Sequence, residues 1–260
     1  MPGRVCCGKL FIVNSMNPVI APPVGHRPLP TLIALLPFIL LLEVTLLSGG
    51  FDSTASRVLA HVQLGEVLRS LGLSPIFILH ATGLLVIAIL IAWHALTGAS
   101  WRIHWGEPLQ LIFEGVISAA PLLAGAAFLG TLSDTTLTIN GLAPDSSLDA
   151  IATAIGAGLS EELLFRMIGV AAVYWPMVTV VKLTHNQSII VAIAATTAAF
   201  TLYHGPSAMT TTAIVFVLGA GLYLGALYVL RGFAVVVIAH AVYDAVVLLA
   251  SSQGSLTATS

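Results

Sequence analysis

Seven stretches of this chain are apolar over about the 20 residues that a helix needs to cross a bilayer core roughly 30 Å thick. They fall near 31–49, 73–96, 109–130, 148–175, 187–203, 209–230 and 232–250. In hydrocarbon every backbone N–H and C=O must find its partner within the protein, which makes the α-helix the natural spanning element. The expected fold class is therefore all-α: a polytopic helical membrane protein of about seven transmembrane helices. Counts of six or eight stay open, because the fourth stretch can run on past Pro176 and only Arg231-Gly232 separates the last two.

Composition agrees. Charged residues make up 8% of the 260, against about 25% in soluble domains, too few to cover a water-exposed surface. Nine Lys+Arg stand against eleven Asp+Glu, for a net charge of −2. With no basic domain, a nucleic-acid partner has no electrostatic basis; the expected partner is the lipid bilayer. The two cysteines, Cys6 and Cys7, are adjacent, so there is no disulfide framework, and palmitoylation of that pair is a minor alternative.

Four segments follow. Residues 1–30, with Pro18, Pro22, Pro23, Pro28 and Pro30, read as a flexible or extended lead that lacks the pattern of a signal peptide. Residues 31–147 hold the first three spans, 148–250 the C-terminal core, and 251–260 a polar tail. The connection 50–72 is polar, and 131–147 carries Asp134, Asn140, Pro144 and Asp145. Trp101-Arg102-Ile103-His104-Trp105 suits the headgroup level. An N-terminus in the cytoplasm would put Arg4, Lys9, Arg27, Arg102, Lys182 and Arg231 inside and only Arg57 and Arg69 outside. The positive-inside rule favours that orientation, in a plasma or inner membrane.

Ionisable residues within spans are expensive and mark functional sites or paired structural clusters. Leu159-Ser160-Glu161-Glu162-Leu163-Leu164-Phe165-Arg166 sets two adjacent carboxylates about a dozen residues into an apolar helix. Glu162 and Arg166 share a face and can pair. Glu161 points about 100° away, and a mere packing pair would leave it stranded. Phe200-Thr201-Leu202-Tyr203-His204 closes the fifth span; a lone histidine there is more often a satisfied helix-end residue. His240-Ala241-Val242-Tyr243-Asp244 puts an imidazole and a carboxylate on one face of the last span, where a structural pair is an equal alternative. Together, Glu161, His204, His240 and Asp244 suit hydrolysis of a stable bond. A glutamate shielded from bulk water can take a proton from a water molecule, with an imidazole orienting that water and the His240/Asp244 pair stabilising an oxyanion. The same four could instead hold a divalent metal such as zinc.

Taken in order, EExxxR at 161–166, FxxxH at 200–204 and HxxxD at 240–244 resemble the three motifs of the CPBP family, the CAAX-protease and bacteriocin-processing membrane proteases that include the Rce1-type and Abi proteins. Leu218-Gly219-Ala220-Gly221-Leu222-Tyr223-Leu224-Gly225 resembles the glycine-rich helix before the family's last motif. The resemblance covers about residues 148–250. It implies cleavage of a peptide bond in a membrane-associated protein or peptide, prenylated or not. Glu161 would then be the water-activating base and His204 its partner, with His240 and Asp244 at the oxyanion or metal position and Glu162 and Arg166 shaping the site. Two departures stand out: Met167 where many relatives have glycine, and Asp244 where Rce1-type enzymes have asparagine. An ionised carboxylate cannot donate to an oxyanion, so Asp244 must be protonated, orient His240 or bind metal.

Glu43, Glu114, His80 and His94 also fall in or near spans and read as interhelical pairs, with Glu114 the best candidate for a supporting role near the site. Asp149 sits at a helix start. Gly219, Gly221 and Gly225 suit close helix packing. The competing functional readings are a non-catalytic scaffold or immunity-type protein and a proton-coupled transporter. The absence of an internal repeat gives the transporter no support.

Overall fold

The computed structural model describes residues 26–47, 72, 75–133 and 146–257. Among these, all regular structure is helical, with no strand. Helices α1 (Pro28–Leu47), α2 (Pro75–Thr97), α3 (Gly106–Ser118) and α4 (Ala120–Ser133) form the N-terminal half. Then come α5 (Ser147–Glu162), a π-helical segment (Leu163–Val170), α6 (Ala171–Thr179), α7 (His185–Tyr203), a 3₁₀ turn (Pro206–Ala208), α8 (Thr211–Arg231) and α9 (Phe233–Thr257).

Seven runs among the described residues are long and apolar enough to cross a membrane: Pro28–Leu47, His80–Thr97, Gly106–Gly130, Ser147–Thr179, His185–Tyr203, Thr211–Arg231 and Phe233–Ala250. The protein is thus an all-α, multi-pass membrane protein with the expected number of spans. The fourth run passes through Pro176 to Thr179 and is 33 residues long, about 50 Å at 1.5 Å per residue. The third is broken between α3 and α4, where Pro121 lacks the N–H that would continue the ladder. The last span ends at Ala250, and its helix, α9, runs on to Thr257 into the polar tail 251–260. Extending a formed helix needs no new nucleus, and polar side chains past Ala250 are compatible with it. The lead up to residue 25, with Cys6 and Cys7, lies outside the described residues, as do most of the 50–72 connection and residues 134–145.

Local chemistry sets the helix starts. The Ser146 side chain accepts the Asp149 N–H at the head of α5, Thr184 and Gln187 form a reciprocal capping box on α7, and Thr210 accepts the Ala213 N–H on α8. Between α8 and α9 a single residue, Gly232, turns the chain at φ +89°, a conformation that costs glycine little.

Helix α9 is the axis of the bundle. Phe233 to Ala239 are buried on every side, as expected of a helix apolar all round. It lies against α5 along most of its length and also touches α3, α8, α1 and α4. Small residues permit the approach: a Cβ on Gly158 would stand 3.0 Å from the Val237 carbonyl oxygen and 3.1 Å from the Ala241 Cβ. Gly158→Val is therefore expected to force α5 from α9 and lower the unfolding temperature in detergent, whereas Gly219→Ala, where an added Cβ meets nothing within 4 Å, should leave it unchanged. Gly221 and Gly225 do pack closely, against Thr197 and Ile193 of α7; Gly219 does not.

The other charged groups near the spans are stitched across helices. Glu43 on α1 hydrogen-bonds His80 on α2. Arg27, just before α1, pairs with Glu107 on α3 at 2.5 Å. Glu114 on α3 pairs with Arg231 at the α8–α9 turn and accepts from Gln110. His94 is buried with its ring edge-on to Trp101. Trp101 and Trp105 are exposed, in keeping with an interfacial stretch.

Candidate active site

The three motifs converge. The first lies where α5 gives way to the π-helical segment: Glu161 and Glu162 are the last residues of α5, and Arg166 sits in the wider turn that follows. Such turns are rare and recur at functional sites. Residue types give little warning of this one.

Glu162 and Arg166 are 0% and 1% exposed. Arg166 Nε stands 3.1 Å from Glu162 Oε2 as an ion pair, its Nη2 donates to the Gly221 carbonyl at 3.3 Å, and its guanidinium lies over the Phe200 ring at 4.6 Å. One charged group thus ties the π-helical segment to α7 and α8. The other Glu162 oxygen, Oε1, is 2.7 Å from His240 Nδ1. A proton on that nitrogen donates to the carboxylate and fixes the ring, turning Nε2 the other way.

His240 Nε2 faces two carboxylates, Glu161 Oε2 at 3.9 Å and Asp244 Oδ2 at 3.4 Å. The hydrogen-bonding partner of Nδ1 is Glu162, whereas Asp244 lies beside the nitrogen that faces Glu161. His204, in the C-cap position of α7, has Nδ1 2.8 Å from the Phe200 carbonyl oxygen. Donation to that oxygen leaves Nε2 as a neutral acceptor, 3.8 Å from Glu161 Oε2. Glu161 Oε2 is thus a buried carboxylate oxygen faced by imidazoles from two helices, with no hydrogen-bond partner among the described residues. Its separations exceed hydrogen-bond length, as is common before a substrate draws catalytic groups together.

All six residues singled out from the sequence, Glu161, Glu162, Arg166, His204, His240 and Asp244, meet in this cluster, and α8 contributes the Gly221 carbonyl. Five are buried; His204 is half-buried and the most open of the set. Sequence reading passes over Tyr203, which packs edge-on against Phe165 and His204 with ring centroids 5.3 and 5.4 Å apart. A tyrosine beside a helix-end histidine looks like ordinary aromatic packing, and only its hydroxyl's surroundings set it apart. Among the described residues, no group of three or more His, Cys, Asp or Glu side chains is set to hold a metal ion. For Glu161, His204, His240 and Asp244 to hold an ion, their side chains would have to draw together around a common centre.

Comparison with known proteins gives one match. Residues 143–246 match the family model described as Type II CAAX prenyl endopeptidase Rce1-like. No curated protein matches the chain, nor does any solved structure. The matched region starts just before α5, ends within α9 and contains all six residues of the cluster.

Proposed function

We propose that this protein is an intramembrane endopeptidase of the CAAX-protease type, hydrolysing a peptide bond of a membrane-associated protein or peptide. The match to an Rce1-like region supports a membrane protease kind of function. The observation that carries the finer reading is Glu161, whose Oε2 is buried with no hydrogen-bond partner among the described residues and is faced by two imidazoles. A scaffold's packing core gains nothing from such a group, whose desolvation costs about 1–3 kcal/mol or more.

In this reading Glu161 takes a proton from water while His204 Nε2 orients it. The hydroxide oxygen bonds to the carbonyl carbon, and the C=O π pair moves onto oxygen. On collapse the C–N bond breaks and the nitrogen takes the proton that Glu161 holds, leaving a carboxylic acid and an amine; the acid's proton then passes to the amine, giving carboxylate and ammonium. Glu162 and Arg166 hold His240 in place, and Asp244 lies beside its outer nitrogen. The zinc-assisted form, with Glu161, His204, His240 and Asp244 as ligands, is the alternative chemistry. By its loop charges the chain sits with its N-terminus in the cytoplasm, in a plasma or inner membrane.

The test is hydrolysis of a panel of fluorogenic membrane peptides, farnesylated and plain, by the full chain in liposomes. Each is run for the parent protein and Glu161→Gln, with and without a strong chelator. Cleavage by the parent alone supports the reading, and a farnesyl requirement would define the substrate class. Loss of activity with the chelator and its return with zinc would favour the metal-assisted form. If neither protein cuts any member, or if both cut equally, the proposal fails.

A further inference from the structure

A carbonyl under attack develops negative charge on oxygen, and a hydrolase needs a donor aimed at it. Among the side chains described, most donors are spent. His240 Nδ1 is engaged by Glu162, and its Nε2 is flanked by two carboxylates. His204 Nδ1 is engaged by the Phe200 carbonyl. Arg166 is held by Glu162, Gly221 and the Phe200 ring; its Nη1 has no hydrogen-bond partner among the described residues but belongs to a side chain only 1% exposed. Asp244 lies beside His240 Nε2, and an ionised carboxylate only accepts.

Tyr203 is different. Its hydroxyl is buried and has no hydrogen-bond partner among the described residues. Buried polar atoms are nearly always satisfied, so each exception asks for an explanation. Its ring is clamped edge-on between Phe165 and His204, the histidine whose Nε2 faces Glu161 Oε2 at 3.8 Å. The group is thus a fixed donor next to the residues that would activate water. Clamping removes rotamer freedom that substrate binding would otherwise have to freeze.

Resting on the endopeptidase reading, we propose that the Tyr203 hydroxyl is an oxyanion donor in this site, supplying the hydrogen bond that Asp244 in its ionised form cannot give. As the hydroxide oxygen bonds to carbon and the π pair moves to the carbonyl oxygen, the phenol O–H donates to that oxygen and keeps its own proton. When the C–N bond breaks and the carbonyl re-forms, the bond weakens and product leaves. The hydroxyl's partner in this reading is the oxygen that carries the developing charge, so the interaction strengthens toward the transition state.

The experiment compares the parent, Tyr203→Phe and Glu161→Gln in liposomes, using the panel peptide that the parent cuts fastest. Phenylalanine keeps the ring between Phe165 and His204 and removes only the hydroxyl. The expected result is a fall in kcat of roughly 10²–10³-fold, the usual effect of removing one oxyanion donor, with KM within about threefold and an unchanged unfolding temperature. A phosphinate peptide, whose tetrahedral centre mimics the intermediate, should lose affinity for Tyr203→Phe by a similar factor, while the peptide itself does not. Activity retained within about threefold would overturn the proposal and leave the endopeptidase reading intact. A fall in kcat that comes with a lower unfolding temperature and unchanged phosphinate affinity would also overturn it, assigning Tyr203 a packing role. If the parent cuts no peptide, or if Glu161→Gln cuts as well as the parent, the endopeptidase reading itself is lost and this assignment with it.

Discussion

Replacing Glu161 by glutamine is expected to lower kcat by roughly 10²–10⁴-fold, the range that a positioned general base contributes, without weakening the fold. The two halves of that expectation have one cause. Glu161 Oε2 is buried and makes no hydrogen bond, so its charge contributes little to holding the helices together. In the proposed reading its solvation is given up in favour of chemistry. An amide has nearly the same shape and carries no net charge into the apolar bundle, so the variant should unfold at the same temperature as the parent or slightly higher. Steady-state kinetics with the cleaved panel peptide, beside thermal unfolding in the same liposomes, checks both halves. A variant that unfolds early would make Glu161 a structural residue and move weight to the scaffold reading.

Arg166→Met should do the opposite and act on the fold. The substitution removes the ion pair to Glu162, the bond to the Gly221 carbonyl and the stack over Phe200, and it leaves a carboxylate that is 0% exposed with His240 as its remaining partner. Breaking a buried pair from one side typically costs about 3–5 kcal/mol, because the survivor is a stranded charge. Reversible unfolding in mixed micelles should show a loss of that order. The double variant Glu162→Gln/Arg166→Met should recover much of it, since neither charge is then left alone, and the non-additivity measures the coupling. Arg166→Met as stable as the parent would show that the pair does not hold the bundle together.

The two variants separate what was readable in the residues from what was not. A bilayer imposes a length of about 20 apolar residues, so the spans stand out in the sequence, and Pro176 fails to end the fourth. Glu162 and Arg166 are legible as a pair because a helix places residues four apart on one face. The convergence of Glu161, His204 and His240 is legible only by resemblance, since nothing local tells three separate helices to meet. Three features escape the sequence for definite reasons. No residue pattern announces the π-helical segment, which lies close against α7 at Gly169, where an added Cβ would meet the Leu164 carbonyl oxygen at 3.0 Å and the Thr196 methyl at 3.1 Å. Glu114 pairs with Arg231 from 117 positions away, a partner that no local spacing announces. Asp244 suggests the orienting partner of His240, because a spacing of four is visible and a contact with Glu162 across 78 residues is not.

The 33-residue run from Ser147 to Thr179 has a consequence for experiment rather than for chemistry. About 50 Å of helix cannot lie within a hydrocarbon core of about 30 Å unless it tilts past about 50°, well beyond the usual 20° or so. One end of that run therefore projects from a face of the bilayer, and the exposed Lys182 sits in the turn between α6 and α7 at φ +64°. Lys9 and Lys182 are the two lysines of the sequence. An amine-reactive label that cannot cross lipid, added to sealed vesicles from one side, should mark a tryptic peptide at Lys182 or leave it unmarked. That single readout assigns the face toward which the hairpin points, and with it the sidedness of the whole bundle.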